Sequence, residues 1–270
     1  MTYQREIIDY YNSSQWLYRV FCRNQFHHGF WNQNTHSLYQ AALNENQAII
    51  DLAKIKKGER VLDAGCGVGS TAIYIAEKTG AWVTGISITP IQIKFAKKHP
   101  RTNFQVQDYT HTNFPDNYFD VVYGIESICY ATPKSSFLKE AYRILKPGGR
   151  LLIADGYLTK HPNTQKQKQL VEDWQKSFSL KKLDTTKEMS QQIGLAGFKK
   201  IRVTTKLNAV KPTVEHFYQL GKRLKLIIQL LGLLPFPFFL AIKRNYLAFV
   251  KEKESFETGL ANYNLHQAEK

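Results

Sequence analysis

The stretch Val61-Leu62-Asp63-Ala64-Gly65-Cys66-Gly67-Val68-Gly69-Ser70 decides the fold. A short apolar run ends on an acid, and three glycines then alternate into a segment of helical pattern. That order reads as a buried strand, a tight turn and the first turn of a helix. Glycine has no Cβ, so the backbone can come close to a ligand there, and a helix start offers unpaired N–H groups. The glycines fall at 65, 67 and 69, which is not the GxGxxG spacing of dinucleotide binders. Such a binder also wants an acid about 20 residues further on, after the next strand. Gly85-Ile86-Ser87-Ile88-Thr89-Pro90-Ile91-Gln92 stands there, with no carboxylate. A nicotinamide dehydrogenase is therefore disfavoured.

Outward from this turn the chain alternates strands and helices. Apolar or β-branched runs predict strands at Arg60–Asp63, Trp82–Ile86, Asn103–Gln107, Phe119–Gly124 and Arg150–Asp155. Helical patterns at Ser70–Lys78, Pro90–Lys98 and Ser135–Leu145 lie between them. Further on come helices near Gln165–Phe178 and Thr185–Ile193, and strands near Lys199–Thr205 and Asn262–Ala268. The expected fold class is α/β: a Rossmann-like, doubly wound, mostly parallel seven-stranded sheet. Residues 1–58 read as a helical N-terminal arm or lid, rich in aromatics (Tyr10, Tyr11, Trp16, Tyr18, Phe26, Phe30, Trp31). Residues 59–206 form the core, 207–258 an apolar and basic cap insertion, and 259–270 a closing strand.

Composition narrows the setting. With 43% apolar and 22% charged residues, a packed core is expected and wholesale disorder is not. Three scattered cysteines, Cys22, Cys66 and Cys129, make neither a disulfide framework nor a CxxC metal site, so no metal is expected. The first thirty residues have no apolar core of signal-peptide length, which leads us to expect a cytoplasmic protein. The net charge of +15 is uneven: residues 160–225 hold 15 basic and 5 acidic side chains. Leu226 to Ile242 is an uncharged run of 17 residues, but Pro235 and Pro237 break it. It reads as a greasy cap rather than a membrane span. Lysines upstream of it, from Lys181 to Lys225, suggest peripheral contact with an anionic membrane or with a diphosphate on the substrate. A solvated lysine face explains them equally well.

The ordered set of motifs over residues 59–155 resembles the class I S-adenosyl-L-methionine-dependent methyltransferases. Besides the glycine turn, it comprises Gln107-Asp108, Phe114-Pro115-Asp116 leading into Phe119-Asp120-Val121-Val122, and Leu145-Lys146-Pro147-Gly148-Gly149. The resemblance implies S-adenosyl-L-methionine as cofactor. Asp63, Gly65, Gly67 and Gly69 would wrap its methionine part, and Asp108, flanked by Gln107 and Tyr109, would accept from the adenine amine. Lacking the second-strand acid, the chain is similar to the subset with a Ser-Ile-Thr-x-x-Gln stretch, in which Ser87, Ile88 and Gln92 serve the ribose. Ser87 and Thr89 could instead merely cap the helix that starts at Pro90.

His27-His28-Gly29-Phe30-Trp31 and Ile125-Glu126-Ser127-Ile128-Cys129-Tyr130-Ala131 look like segments of sterol C-24 and tocopherol-type C-methyltransferases, although Tyr130 replaces a histidine of the sterol group. That likeness implies methyl transfer to carbon of an apolar, isoprenoid-like small molecule. The positive charge left on an alkene would be stabilised by aromatic faces and by Glu126, which would also remove the proton, with His28 and Tyr130 beside it. O- or N-methylation of a quinol, lipid head group or other small metabolite is the rival reading. A nucleic-acid substrate is not expected, because Gly124-Ile125-Glu126-Ser127 is unlike the Asn/Asp-Pro-Pro-aromatic stretch of amine-directed enzymes.

Overall fold

In chain order the elements of the computed structural model are α1 (Tyr3–Phe21), α2 (Leu38–Ala53), β1 (Arg60–Ala64), α3 (Ser70–Thr79), β2 (Trp82–Ser87), α4 (Pro90–Phe95) and β3 (Thr102–Val106). There follow β4 (Phe119–Ile125), a 3-10 turn (Ile128–Tyr130), α5 (Lys134–Ile144), β5 (Leu145–Leu158), α6 (Gln165–Ser177) and α7 (Thr186–Leu195). The last are β6 (Lys199–Thr205), α8 (Leu207–Arg223), α9 (Lys225–Leu231), α10 (Pro237–Glu257) and β7 (Ala261–Glu269). The structure describes residues 2–21, 27–231, 233 and 236–270. Cys22 and Phe26 lie outside the described residues, as do the side chains of Trp16 and Tyr18.

The sheet runs β3-β2-β1-β4-β5-β7-β6. The ladders from β3 through β5 are parallel, while β7 is antiparallel to both β5 and β6. Strand order reverses between β1 and β4, and in open α/β sheets the crevice at the carboxyl ends of such a pair receives the ligand. Alternation along the strands feeds two cores. Val61 and Val121 pack on one face with Ile49, Ile75 and Val83; Leu62 and Val122 pack on the other with Leu138, Ile144 and Ile153. Both faces are covered, as a parallel sheet requires.

Local chemistry sets the boundaries. Ser37 Oγ accepts from Gln40 N–H to cap α2, and Thr185 and Glu188 close a capping box at α7. Gly69 starts α3 at φ 78°, and a Cβ there would meet the Phe104 ring at 2.3 Å. Two expected boundaries move. The helix expected over Pro90–Lys98 ends at Phe95: Ala96 turns extended (φ −62°, ψ 129°), and the exposed Lys97 and Lys98 bury nothing that would hold a further turn. The strand expected from Arg150 starts at Leu145: Phe119 pairs with Leu145 and Val121 with Arg150, so Lys146 to Gly149 bulge out of a continuous β5.

The basic stretch proves to be divided. Lys199, Lys200 and Arg202 stand on β6, the outer strand, where charge discourages edge-to-edge pairing. Lys200 pairs with Glu269, Lys182 with Asp184, and the ammonium groups of Lys181 and Lys206 sit over the rings of Tyr3 and Phe30. Only Lys211, Lys222, Arg223 and Lys225 of that stretch belong to the cap helices α8 and α9. At the cap's end Leu226, Ile227, Leu230, Leu233 and Phe236 are each more than half exposed. No helix among the described residues is long and apolar enough to cross a membrane.

Candidate active site

The crevice at the strand reversal holds a cavity of about 800 Å³, counting space open to solvent. Its floor is the glycine turn. Gly65 has φ 98° and faces Ser127 so closely that a Cβ would lie 2.4 Å from the serine's Cβ, so no other residue fits there. Asp63, Gly65, Gly67, Ser87, Ile88, Gln92 and Tyr109 all line the cavity, as do Glu126 and Tyr130. Ser87 Oγ donates to Gln92 Oε1 (2.9 Å) and accepts from Thr89 N–H (3.1 Å), so one wall is an internally bonded turn. Asp63 Oδ2 and Thr89 Oγ1 are buried without a hydrogen-bond partner. Burial pushes the Asp63 carboxyl up to about 7.

Three expected cofactor residues are not in this lining. Gly69 is spent on the close approach to Phe104. Gln107 bonds locally, donating to Gln105 Oε1 and accepting from Asn113 N–H. Asp108 accepts from Thr110 N–H and hydroxyl at 2.7 Å each and from the amide of Gln4, which α1 brings across 104 residues. Short-range bonds thus hold these carboxylate and amide groups beside the cavity rather than in it.

A second cavity of about 590 Å³, also counting open space, adjoins the first. Tyr11, Glu126 and Tyr130 line both. The rest of its wall is largely aromatic, with Tyr10, Trp174, Phe178 and Tyr263, and is punctuated by His28, Asp155 and Glu252. Helix α1 covers both spaces, with Ile7 and Tyr11 over the first and Tyr10 and Tyr11 over the second. Tyr10 is pinned by its hydroxyl bond to Asn245 Oδ1 (3.2 Å) and by the Arg244 guanidinium over its ring. Trp31, an expected lid aromatic, instead donates to Thr213 Oγ1 (2.8 Å) and braces α8.

Glu126 is the centre of the polar set. It follows β4 with φ 47°, an uncommon conformation for a side-chain-bearing residue, held by its N–H bond to Ala154 O (2.8 Å). Its Oε1 accepts from His28 N–H (2.9 Å) and Tyr263 hydroxyl (2.9 Å) and pairs with His28 Nδ1 (2.7 Å). The other ring nitrogen of His28 meets Glu252 Oε2 at 3.0 Å. Burial opposes charge on both groups. Their mutual attraction and hydrogen bonds prevail, so the His28 pKa lies well above its ordinary value and that of Glu126 below. His28 is accordingly an imidazolium bracketed by two carboxylates. A parallel pair stands behind it: His27 Nδ1 meets Glu45 Oε2 at 2.7 Å, and Tyr263 hydroxyl reaches Glu45 Oε1 at 2.9 Å. Asp155, accepting from Cys129 N–H and Gly156 N–H, is pushed up to about 7 by burial and the nearby Glu126 charge.

The three expected catalytic residues, Glu126, His28 and Tyr130, therefore meet at one place. Glu252, Glu45, Tyr263 and Asp155 escaped the sequence reading. Glu252 looks like any charged residue of a Lys-Glu-Lys-Glu run, and Asp155 like a strand end. Only the folding of α10 and β7 against the arm brings the first three inward.

Residues 62–153 match the family model described as a methyltransferase domain. The methyltransferase GfsG of Streptomyces halstedii is 32% identical over 162 residues, 57% of this chain and 58% of that protein. The sterol 24-C-methyltransferase ERG6A of Gibberella zeae is 37% identical over 157 residues, 56% of this chain and 41% of that protein. The chain spans about half the length of these curated relatives. Among solved structures, the cyclopropane synthase MmaA2 from Mycobacterium tuberculosis shares the fold with a TM-score of 0.83 at 16% identity, over 100% of this chain and 99% of that one. The expected Rossmann-like fold is the observed one, and residues 62–153 are similar to the methyltransferase domain, a family that uses S-adenosyl-L-methionine.

Proposed function

We propose that this protein transfers a methyl group from S-adenosyl-L-methionine to a carbon of an apolar, isoprenoid-like molecule. The carrying observation is the seam: Tyr11, Glu126 and Tyr130 line both cavities, so molecules in the two spaces would face each other across them. The first cavity fits the cofactor. Beside the glycine turn, the unpartnered Asp63 Oδ2 and Thr89 Oγ1 offer polar contacts. Asp63, Gly65, Gly67, Ser87, Ile88 and Gln92 would hold it. When bound, S-adenosyl-L-methionine supplies an electrophilic methyl group on a sulfonium centre.

The chain's own residues hold the acceptor close and aligned in the second cavity and exclude water from it. A neutral alkene that gains a methyl group carries positive charge until a proton leaves. The faces of Tyr11, Tyr130, Trp174 and Tyr263 and the ionised Glu126 stabilise that charge, each ring by about 0.5–2 kcal/mol. A depressed pKa makes Glu126 a good counter-charge and a weak base. Asp155, near 7, is the better acceptor for the proton that leaves. This divides between two carboxylates the work expected of Glu126 alone.

The same cage of rings and carboxylates would also hold an amine, which keeps N-methylation as the second reading. Incubation with methyl-labelled cofactor and an isoprenoid mixture, with the labelled atom located by mass spectrometry, decides between them. Label on nitrogen or oxygen overturns carbon transfer. Glu126→Gln should bind cofactor normally and turn over at least about a hundredfold more slowly, while Asp155→Asn should remove the rise of kcat with pH through about 7. For the cap we propose peripheral contact with anionic lipid, supported by the exposed apolar end of α9 beside Lys222, Arg223 and Lys225.

A further inference from the structure

A third cavity, of about 870 Å³ including open space, lies inside the cap among α1, α8, α9 and α10. Its wall is almost wholly apolar. The amide nitrogen of Asn245 is spent on Ser14 Oγ and Ala241 O, and its carbonyl oxygen accepts from Tyr10, so this side chain points no spare polar atom at a ligand. Leu224 and Ile227, at 38% and 55% exposure, stand at its rim. Phe249 lines this space, stacked on Phe217 with ring centroids 4.6 Å apart. On its other side the Phe249 ring lies 6.2 Å from Phe178 and 6.3 Å from His28, both of which line the acceptor cavity. One side chain therefore separates an apolar chamber from the aromatic, charged one.

We propose that the cap cavity is a second acceptor subsite that takes the far end of the substrate's hydrocarbon chain, passed beyond Phe249, while the reacting carbon stays at Glu126. This rests on the apolar-acceptor reading and adds a length requirement to it: an acceptor that ends short of Phe249 gains nothing from the cap. An apolar wall offers binding to methylene and methyl groups. That a single ring, Phe249, stands between the two spaces argues for the tail of the acceptor itself rather than for a separate lipid.

The test is titration calorimetry of the full chain, saturated with S-adenosyl-L-homocysteine, using geraniol (about ten carbons) and geranylgeraniol (about twenty) as probes. Geranylgeraniol should bind about a hundredfold more tightly than geraniol, the worth of a few buried methylenes. Leu220→Trp and Ile242→Trp, which fill the chamber from two helices, should each cut that advantage below about threefold and leave geraniol unaffected. Leu230→Ser, on the exposed face and outside the lining, should preserve it. Thermal midpoints and S-adenosyl-L-homocysteine affinity identify any filled variant that has not folded; the second filled position then decides. An advantage that survives both fillings, or that vanishes with Leu230→Ser, overturns the subsite and leaves the acceptor reading standing. Failure of both alcohols to bind overturns the subsite together with that reading.

Discussion

Asp63 closes β1 at 3% exposure, with a carboxyl pushed up to about 7 by burial and with Oδ2 unpartnered. A cationic ligand beside it favours the carboxylate, so a proton must leave before binding below that pKa. Cofactor affinity should be level above about pH 7 and fall roughly tenfold per unit below it. Calorimetry between about pH 5.5 and 8.5 checks this, and in Asp63→Asn the slope should vanish. The motif made Asp63 legible in the sequence. Its raised pKa was not, because burial is a property of the packed sheet. Glu126 was legible for the same reason as Asp63, and Glu252, which meets the other ring nitrogen of His28, was not.

At the scale of elements, the turn from β1 to α3 carries tight constraints. Gly69→Ala would bring a Cβ to 2.3 Å from the Phe104 ring at φ 78°, so unfolding should cost about 2–3 kcal/mol less, a difference readable by urea titration. In a Phe104→Ala background the added cost of Gly69→Ala should shrink to the backbone strain, because the clash with the ring is gone. The cap's end makes a second prediction. Sedimentation with vesicles should show binding to anionic but not neutral lipid, weakened by salt and by Leu226→Ser with Leu230→Ser. Helix and strand boundaries were mostly readable from period and capping; those near Ala96 and Leu145 were not, since an early extended residue and a bulge leave the apolar pattern unchanged.

For the whole molecule, β7 threads between β5 and β6 and buries His266 completely, with its pKa lowered to about 4. Folded, the ring stays neutral; unfolded, it takes a proton near 6.5. Its contribution is present above about pH 6.5 and is lost as pH falls toward 4, by roughly 3 kcal/mol. Asp63 and Asp155 act in the opposite sense, taking up protons in the folded state near pH 7. The prediction is therefore a difference: His266→Gln should lose less stability than the parent between about pH 6.5 and 4, by thermal melts across that range. Equal losses would remove His266 from the acid response.

Local rules determined the parallel sheet, the glycine elbow and the Asp63 to Gln92 wall, because period, turn chemistry and caps act over a few residues. Tertiary structure alone decided that α10 and β7 deliver Glu252 and Tyr263 to Glu126 and His28, that the lysines of β6 belong to a sheet edge, and that Phe249 stands between an apolar chamber and the aromatic, charged one. These depend on how distant helices pack, and an amphipathic helix has the same pattern whichever partner its buried face meets.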